Sequence, residues 1–534
     1  MVQLGDVNTS DVAGAIRLGC ETMGRVFNSE DEDRPYWASR VWPDAQFGFF
    51  WPNADGHVPG RHLNALLNAE DAVGVRIEEE CIEKHARAAF YACDGPIPLP
   101  LTRNEYGGAV VNFAPHHVRE GFHALYALAA FRNSEPAMDL ARRAIAFIFA
   151  RWSAREGWDW AHIEGALGVN NTDHRLREEF GPKVGAATFI TGLGRAIGPL
   201  VKLYRATGYG PSLDLAVELK NRAVEAFFVS DGSYSCERFG AHTHSTTCVL
   251  SSLAQLADML ADSQLMGTVK AFYDNGLWEI RDELGWVMES SRDDSLMDLG
   301  EANNTGDIVE TALILGRWGW PQYYEDAERM VRCHLLPSQL RDISFIPETP
   351  NPDGKDSLRD VGARNRGAWG FPAPYGLRPI GAKAMGFHMD IVGGVVGSLC
   401  EVYRQIVRSD EAGHWVDLHF DNETANVAVE SPYTHDGLRV RIGDGRPVFV
   451  RIPSWVEPAA ISVSGVTGRT ARHHEYLLIP EPPVDRWVSI DFPLADREMT
   501  LKHRAHDIRV RLCGDAVAAM DSFEADFTFF DPIN

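Results

Sequence analysis

Apolar residues recur at helical spacing through roughly the first 405 residues, then give way to short β-branched runs. His116 to Phe131 carries Val118, Phe122, Leu125, Leu128 and Ala129 on one face, and Ala137 to Arg151 repeats the pattern. Gly192 to Thr207 and Ser212 to Val229 read as a helical pair joined by the turn GYGP. Cys248–Leu260 with Met266–Arg281, and Ile308–Trp318 with Tyr323–Leu336, read as two more pairs. Helical hairpins separated by long loops predict a mainly α fold: an (α/α)6 barrel, a six-hairpin toroid whose loops gather around a cleft. After Arg408 the runs VDLHF, NVAVESPY, LRVRIG, PVFVRIPSW, AAISVSG, EYLLIP and WVSIDFPL fall within about 90 residues and predict a C-terminal β-sandwich. The expected division is a catalytic helical toroid over 1–409 and a β-sandwich domain over 410–534.

Composition narrows the partners. The 534 residues are 45% hydrophobic and 10% aromatic, enough for a large buried core. A net charge of −24 repels nucleic acid and anionic membranes, and no Lys/Arg run offsets it. Eight scattered cysteines contain no C-x-x-C pair, which argues against a zinc ribbon, a redox motif or a disulfide framework. The opening MVQLGDVNTSDVAG lacks the basic-then-apolar order of a secretory leader, and no apolar run reaches the roughly 20 residues of a membrane span. The expectation is a cytoplasmic protein with no nucleic-acid or membrane partner, without cofactor or metal, and with a homodimer as its candidate assembly.

The densest chemistry lies in Gly300 to Leu340. It begins with Glu301, Asn303, Asn304 and Asp307, runs into a helix, and continues through Trp318, Trp320, Tyr323 and Tyr324. Carboxylates for proton transfer beside rings that stack on C–H faces suit a sugar cleft. Helix capping is the competing reading for each polar residue alone.

Several segments, in order, resemble the β-L-arabinofuranosidase family of glycoside hydrolases: GPLVKLYRATG (198–208), GAHTHSTTCVLSSL (240–253), the stretch from Glu301, FHMDIVGGVVGSL (387–399) and VRIPSWV (450–456). The resemblance implies an (α/α)6 barrel followed by a β-sandwich. It also implies a zinc bound by glutamate and cysteine thiolates, one thiolate being the nucleophile. This chain departs there, with Asn303 where the first cysteine would stand and Met389, Asp390 and Ile391 across the Cys-Cys position. Cys400 is too far along the next helix to substitute. A cysteine–zinc nucleophile is therefore not expected.

Glycoside hydrolysis needs two carboxyl groups, one to protonate the leaving oxygen and one to attack or activate water. Asp390, before Gly393 and Gly394 at a helix start, is the candidate nucleophile or base, with an N-cap as the alternative. Glu289 is the candidate acid and Glu301 a further carboxylate, with Asp293 and Asp294 as competitors. His117, in H-x-x-E with Glu120, and His244, with His242 as its rival, are candidate sugar ligands, as is His174. Asn303 joins them as a substrate contact. Trp158, Trp160, Trp369 and Tyr375 lie in loops where a ring could stack on sugar. Arg359, Arg364 and Arg366, in the basic stretch 355–376, could form a fork for a uronic acid. The leading function is hydrolysis of terminal arabinofuranosyl-like or uronic sugars. A polysaccharide lyase or unsaturated-uronyl hydrolase (Tyr375 as base beside Arg366) and a non-catalytic sugar-binding protein are the alternatives.

Overall fold

The computed structural model describes residues 2–48, 54–103, 105–168, 188–292 and 298–533. His174, Asp293 and Asp294 lie outside the described residues. Among those described, twelve helices of nine residues or more form two rings. The inner ring is α2 (Ala54–Val73), α4 (Val118–Arg132), α6 (Ile197–Thr207), α8 (Thr243–Leu260), α10 (Ala302–Arg317) and α12 (Met389–Ile406), each packed on the next and α12 returning to α2. Outside them, α3 (Glu79–Ala92), α5 (Glu135–Arg151), α7 (Gly210–Ala226), α9 (Ser263–Asp274) and α11 (Gln322–Met330) each pair with the inner helix before them. The sixth outer helix is α1 (Val12–Met23), which packs on α12. The earliest helix thus completes the last hairpin and closes the (α/α)6 barrel.

Inner helices are buried on nearly every face, including their polar first turns. Thr243 to Thr247 on α8, and Asn303, Asn304, Thr305 and Asp307 on α10, are all buried. An amphipathic stripe is what periodicity detects, and these turns have none. That is why α8 and α10 begin at Thr243 and Ala302 rather than at the apolar residues Cys248 and Ile308.

Close approach within the inner ring depends on Gly60. A Cβ there would meet the Glu120 carbonyl oxygen of α4 at 1.9 Å and its carbonyl carbon at 2.6 Å, so backbone would have to move. Gly60→Ala is expected to destabilise the protein by about 1–3 kcal/mol, the range for overpacked interiors. Thermal melting checks this, and an unchanged melting temperature would count against the packing described.

Two five-stranded sheets follow the barrel. In chain order their strands are β1 (Val407–Asp410), β2 (Gly413–Val416), β3 (Asn422–Glu423), β4 (Val427–Glu430), β5 (Leu438–Ile442), β6 (Val448–Arg451), β7 (Ser462–Ser464), β8 (Ala471–His473), β9 (Tyr476–Ile479) and β10 (Trp487–Asp491). One sheet runs β1-β2-β6-β9-β8 and the other β3-β4-β5-β10-β7. Register sets apolar residues opposite one another, as in Leu438↔Ile490 and Val440↔Val488. Their inner faces share a separate core of Val416, Val427, Val429, Val448, Val450, Leu477 and Ile479. The fold is an (α/α)6 barrel followed by a β-sandwich.

Two details differ from the sequence expectation. The run VDLHF is a strand only at Val416, and its Leu418 and Phe420 enter the helical core instead. After the sandwich, β11 (Asp496–Lys502), β12 (Asp507–Cys513) and β13 (Ala516–Met520) make a third sheet. Its Leu501, Ile508, Val510 and Leu512, with Phe527, Phe529 and Phe530 beyond, also belong to the helical core. The expected boundary at 410 falls at the last residue of β1, and the two hydrophobic cores do not divide there.

Between barrel and sandwich lies a buried ionic knot. Glu328 of α11 accepts from Arg332 (3.0 and 3.1 Å), from Arg451 of β6 and from the backbone N–H of His419 (3.0 Å). The arginines and His419 outweigh burial and hold its carboxyl down at about 2.

Candidate active site

All six inner helices begin at the same end of the barrel, so their first turns surround its axis. Helix N-termini carry unpaired N–H groups and a partial positive charge, which favour carboxylates. From this end come His57 and Arg61 on α2, His117, Arg119 and Glu120 at α4, Arg195 before α6, His242 and His244 at α8, Glu301 and Asn303 at α10, and Asp390 on α12. Three hundred and more residues of sequence separate groups that the ring makes neighbours.

Glu120 anchors the floor. It is fully buried, and Oε1 accepts from Arg61 (3.1 and 3.3 Å) and Arg195 (3.0 Å), with Arg119 at 3.6 Å. Arg195, Arg61 and Arg119 overcome its burial and hold it ionised, well below the usual carboxylate range. Arg61 also extends Nη1 to Asp390 Oδ2 at 3.8 Å. The same Arg61 therefore ties the anchor to the candidate nucleophile.

Asp390 does not cap its helix. The N-cap of α12 is His388, which makes no side-chain cap bond. Asp390 stands in the first turn instead, with Oδ1 buried and without a hydrogen-bond partner. Burial raises its pKa to about 7 against the pull of Arg61, with Glu301 adding to the rise. Gly393 and Gly394, expected to admit a ligand, admit neighbouring helices. A Cβ at Gly394 would lie 2.0 Å from Asn303 Oδ1, and one at Gly393 would lie 2.9 Å from the Arg61 carbonyl carbon.

Glu289 arrives on the loop between α9 and α10. Its N–H donates to the Leu299 carbonyl (2.8 Å) and its own carbonyl accepts from Thr243 Oγ1 (3.0 Å), pinning the loop to the start of α8. Its carboxyl is hydrogen-bonded to Glu301, and burial, then Glu301, then Asp390 push it well above the normal range. Glu301 in turn accepts from Asn303 Nδ2 (2.8 Å) and faces His244 Nδ1 (3.3 Å). Asn303, where the resembling family places a thiolate, is thus a hydrogen-bond donor to the glutamate.

Histidines and aromatics surround these carboxyls. His57 stacks on His116 (centroids 4.9 Å) and meets His117 edge-on (4.7 Å), while His116 adjoins His242 (5.6 Å). Trp37 bridges His57 (5.4 Å) and His388 (5.2 Å), and Phe371 closes on His388 (4.7 Å). Sequence reasoning identified Glu289, Glu301, Asp390, His117, His244 and Asn303, and the fold brings these six together. It missed Trp37, His57, Arg61, His116, Arg195 and His388. Glu120 was noticed only as the end of H-x-x-E.

Other expected contacts lie elsewhere. Trp158 and Trp160 pack on Phe113 (5.4 and 6.0 Å). Trp369 is fully buried and donates to the Leu335 carbonyl (2.8 Å), a core role. Tyr375 commits its hydroxyl to Asp298 (3.0 Å) and the Ile380 N–H (3.2 Å), and burial pushes its pKa up, so it is not set as a base. Arg364 binds Asp356 (3.1 Å) and the carbonyls of Arg25 and Phe27 (2.8 and 2.9 Å), Arg359 binds Asp356 (2.6 Å), and Arg366 is exposed on a segment bonded to Thr22 of α1. The proposed uronate fork is a structural clasp. Trp318, Trp320, Tyr323 and Tyr324 follow the far end of α10, about 24 Å along a 16-residue helix from Glu301. Trp318 bonds Asp258 there (3.0 Å) and Tyr323 bonds Asp274 (2.5 Å).

The helices form a six-hairpin toroid whose polar, carboxyl-bearing groups gather at one end of its axis. Among solved structures, a GH127 β-L-arabinofuranosidase from Geobacillus stearothermophilus T6 superposes with a TM-score of 0.54 over 95% of this chain and 80% of its own, at 13% identity. A second GH127 β-arabinofuranosidase gives 0.57 over 94% and 79%, also at 13% identity, and another glycoside hydrolase gives 0.53 at 12%. Neither a protein-family profile nor a curated protein matches the chain. At such identity the likeness is one of fold. A glutamate–thiolate zinc centre does not fit the residues present, since Asn303, Met389 and Asp390 supply no thiolate where it would be needed and Cys400 is buried nearly three turns along α12. His242, His244 and Glu301 do offer one metal-ligating atom each, all within 4.8 Å of one another.

Proposed function

We propose that this chain is a glycoside hydrolase that releases terminal, neutral, arabinofuranosyl-like sugars by carboxyl chemistry at the N-terminal end of the barrel. The convergence of Glu289, Glu301 and Asp390 beneath a rim of histidine and tryptophan rings carries the reading. Glu289 donates its proton to the glycosidic oxygen as the bond to the anomeric carbon breaks. Asp390, with Oδ1 unengaged, attacks that carbon or takes a proton from the attacking water. Glu301 is fixed by Asn303 and serves sugar hydroxyls and the Glu289 proton. The histidines and Trp37 present donors and ring faces to the sugar.

Neutral sugar is favoured because Arg61 and Arg195, the arginines hydrogen-bonded beside the carboxyls, are both engaged by Glu120. A panel of aryl glycosides, spanning L-arabinofuranosides, neutral pyranosides and unsaturated uronides, tests the assignment. Asp390→Asn is expected to lower kcat/KM on the best substrate by about 10³-fold or more, because it removes the nucleophile or base. Full activity in that variant, or a clear preference for uronides, would count against the assignment.

A further inference from the structure

His242, His244 and Glu301 make a compact group at the joined N-termini of α8 and α10. His244 Nδ1 stands 3.3 Å from Glu301 Oε1, and His242 Nε2 stands 3.9 Å from Glu301 Oε2. Four-coordinate zinc, with bonds of about 2.0–2.2 Å to nitrogen and oxygen, places neighbouring donors roughly 3.3–3.5 Å apart. The His244–Glu301 pair is already at that spacing, and all three donors lie within 4.8 Å of one another, so side-chain movement must draw His242 inward to complete the set.

The far sides of His242 and Glu301 are hydrogen-bonded, and that of His244 faces a carboxylate. His242 Nδ1 is engaged by Ser245 Oγ at 2.8 Å, which leaves Nε2 to face the glutamate. His244 Nε2 is buried and without a hydrogen bond, 3.5 Å from Asp307 Oδ2. Glu301 Oε1 accepts from Asn303. Metal-binding histidines commonly use the second ring nitrogen on a carboxylate or hydroxyl in this way, which fixes ring orientation and tautomer. The group reaches solvent through His242, which is half-buried and adjoins His116.

We propose that His242, His244 and Glu301 bind one zinc-class divalent cation, with a fourth position open to the cleft for a sugar hydroxyl or water. This donor set contains no sulfur, and the two imidazoles come from the N-cap and the second residue of α8. Two nitrogens and one oxygen favour Zn²⁺ or Co²⁺ over Mg²⁺ and Ca²⁺, which prefer all-oxygen shells. The inference does not depend on hydrolysis, because a sugar-binding protein without turnover could hold the same cation.

Chelator-stripped protein titrated with Zn²⁺ and Co²⁺ by calorimetry tests it. One cation per chain is expected, with visible cobalt absorption of a four-coordinate site and no competition from Mg²⁺ or Ca²⁺. His244→Ala and Glu301→Gln are expected to weaken binding by more than the roughly 10–100-fold that outer-shell changes cost. His242→Ala should do the same; being half-buried, that position tolerates truncation, and a melting curve verifies the fold. Asp390→Asn is expected to keep the cation. The proposal is overturned if stripped protein takes up no Zn²⁺ below about 100 μM, about −5.5 kcal/mol of binding. Unchanged affinity in His242→Ala, or loss of the cation in Asp390→Asn, would overturn it too. Activity on the glycoside panel without cation binding removes the metal site alone; cation binding without activity on any glycoside removes the hydrolase reading alone.

Discussion

Glu289→Gln is expected to cut turnover of glycosides with poor leaving groups by roughly 10²–10⁴-fold, the usual contribution of a positioned general acid. The amide keeps the shape and the hydrogen bond toward Glu301 but has no proton to give. The same variant should be far less impaired on a dinitrophenyl glycoside, whose leaving group departs without protonation. Asp390→Asn should be impaired on both, so the two carboxyls separate by leaving-group dependence. Stability should hardly fall in Glu289→Gln, since Glu289 Oε2 is buried without a partner and the carboxyl sits beside Glu301. Equal losses on both leaving-group classes would sink the assignment of Glu289 as acid.

The largest expected loss of stability comes from Glu328→Gln. Glu328 is the shared acceptor for Arg332 and Arg451, and both arginines are buried with it. Removing one partner of a buried ion pair typically costs about 3–5 kcal/mol, because an uncompensated charge stays behind. Denaturant unfolding measures this. The pH dependence follows from linkage. The folded pKa of Glu328, about 2, lies below the unfolded value of roughly 4.3. Its contribution is therefore complete above about pH 4.5 and fades as pH falls toward 2. Wild type should lose stability through that acid window more steeply than Glu328→Gln, and parallel curves would disprove the linkage.

The β-sandwich was legible in the sequence because strands such as Leu438–Ile442 alternate buried and half-buried positions. Helices with one apolar face were legible from the 3.6-residue period of their buried positions. The helical starts were not, since the residues that open α8 and α10 are polar and yet buried around the axis. Glu289, Glu301 and Asp390 stood out in the sequence because carboxyls at a helix start or loop are conspicuous next to a resembling family. Arg61, Arg195 and His57 carried no such signal: they are single polar residues in helical or turn context, and only ring closure makes them neighbours. The aromatics after Gly316 misled for a related reason. Nearness in sequence along α10 places them at the opposite end of the barrel, because a helix carries the chain away from its own first turn.

Helix α1 belongs to the last hairpin of the ring, and this has a consequence during synthesis. A chain leaving the ribosome exposes Ile16, Cys20 and Met23 of α1 long before α12, the helix they pack on, has been made. Contacts of such sequence separation are slow to form. Intermediate hairpins can stack in order as they emerge, but the cleft, which needs Asp390 from α12 beside Arg61 from α2, assembles late. A nascent chain of this protein would thus be helical early and competent only after its ring has closed.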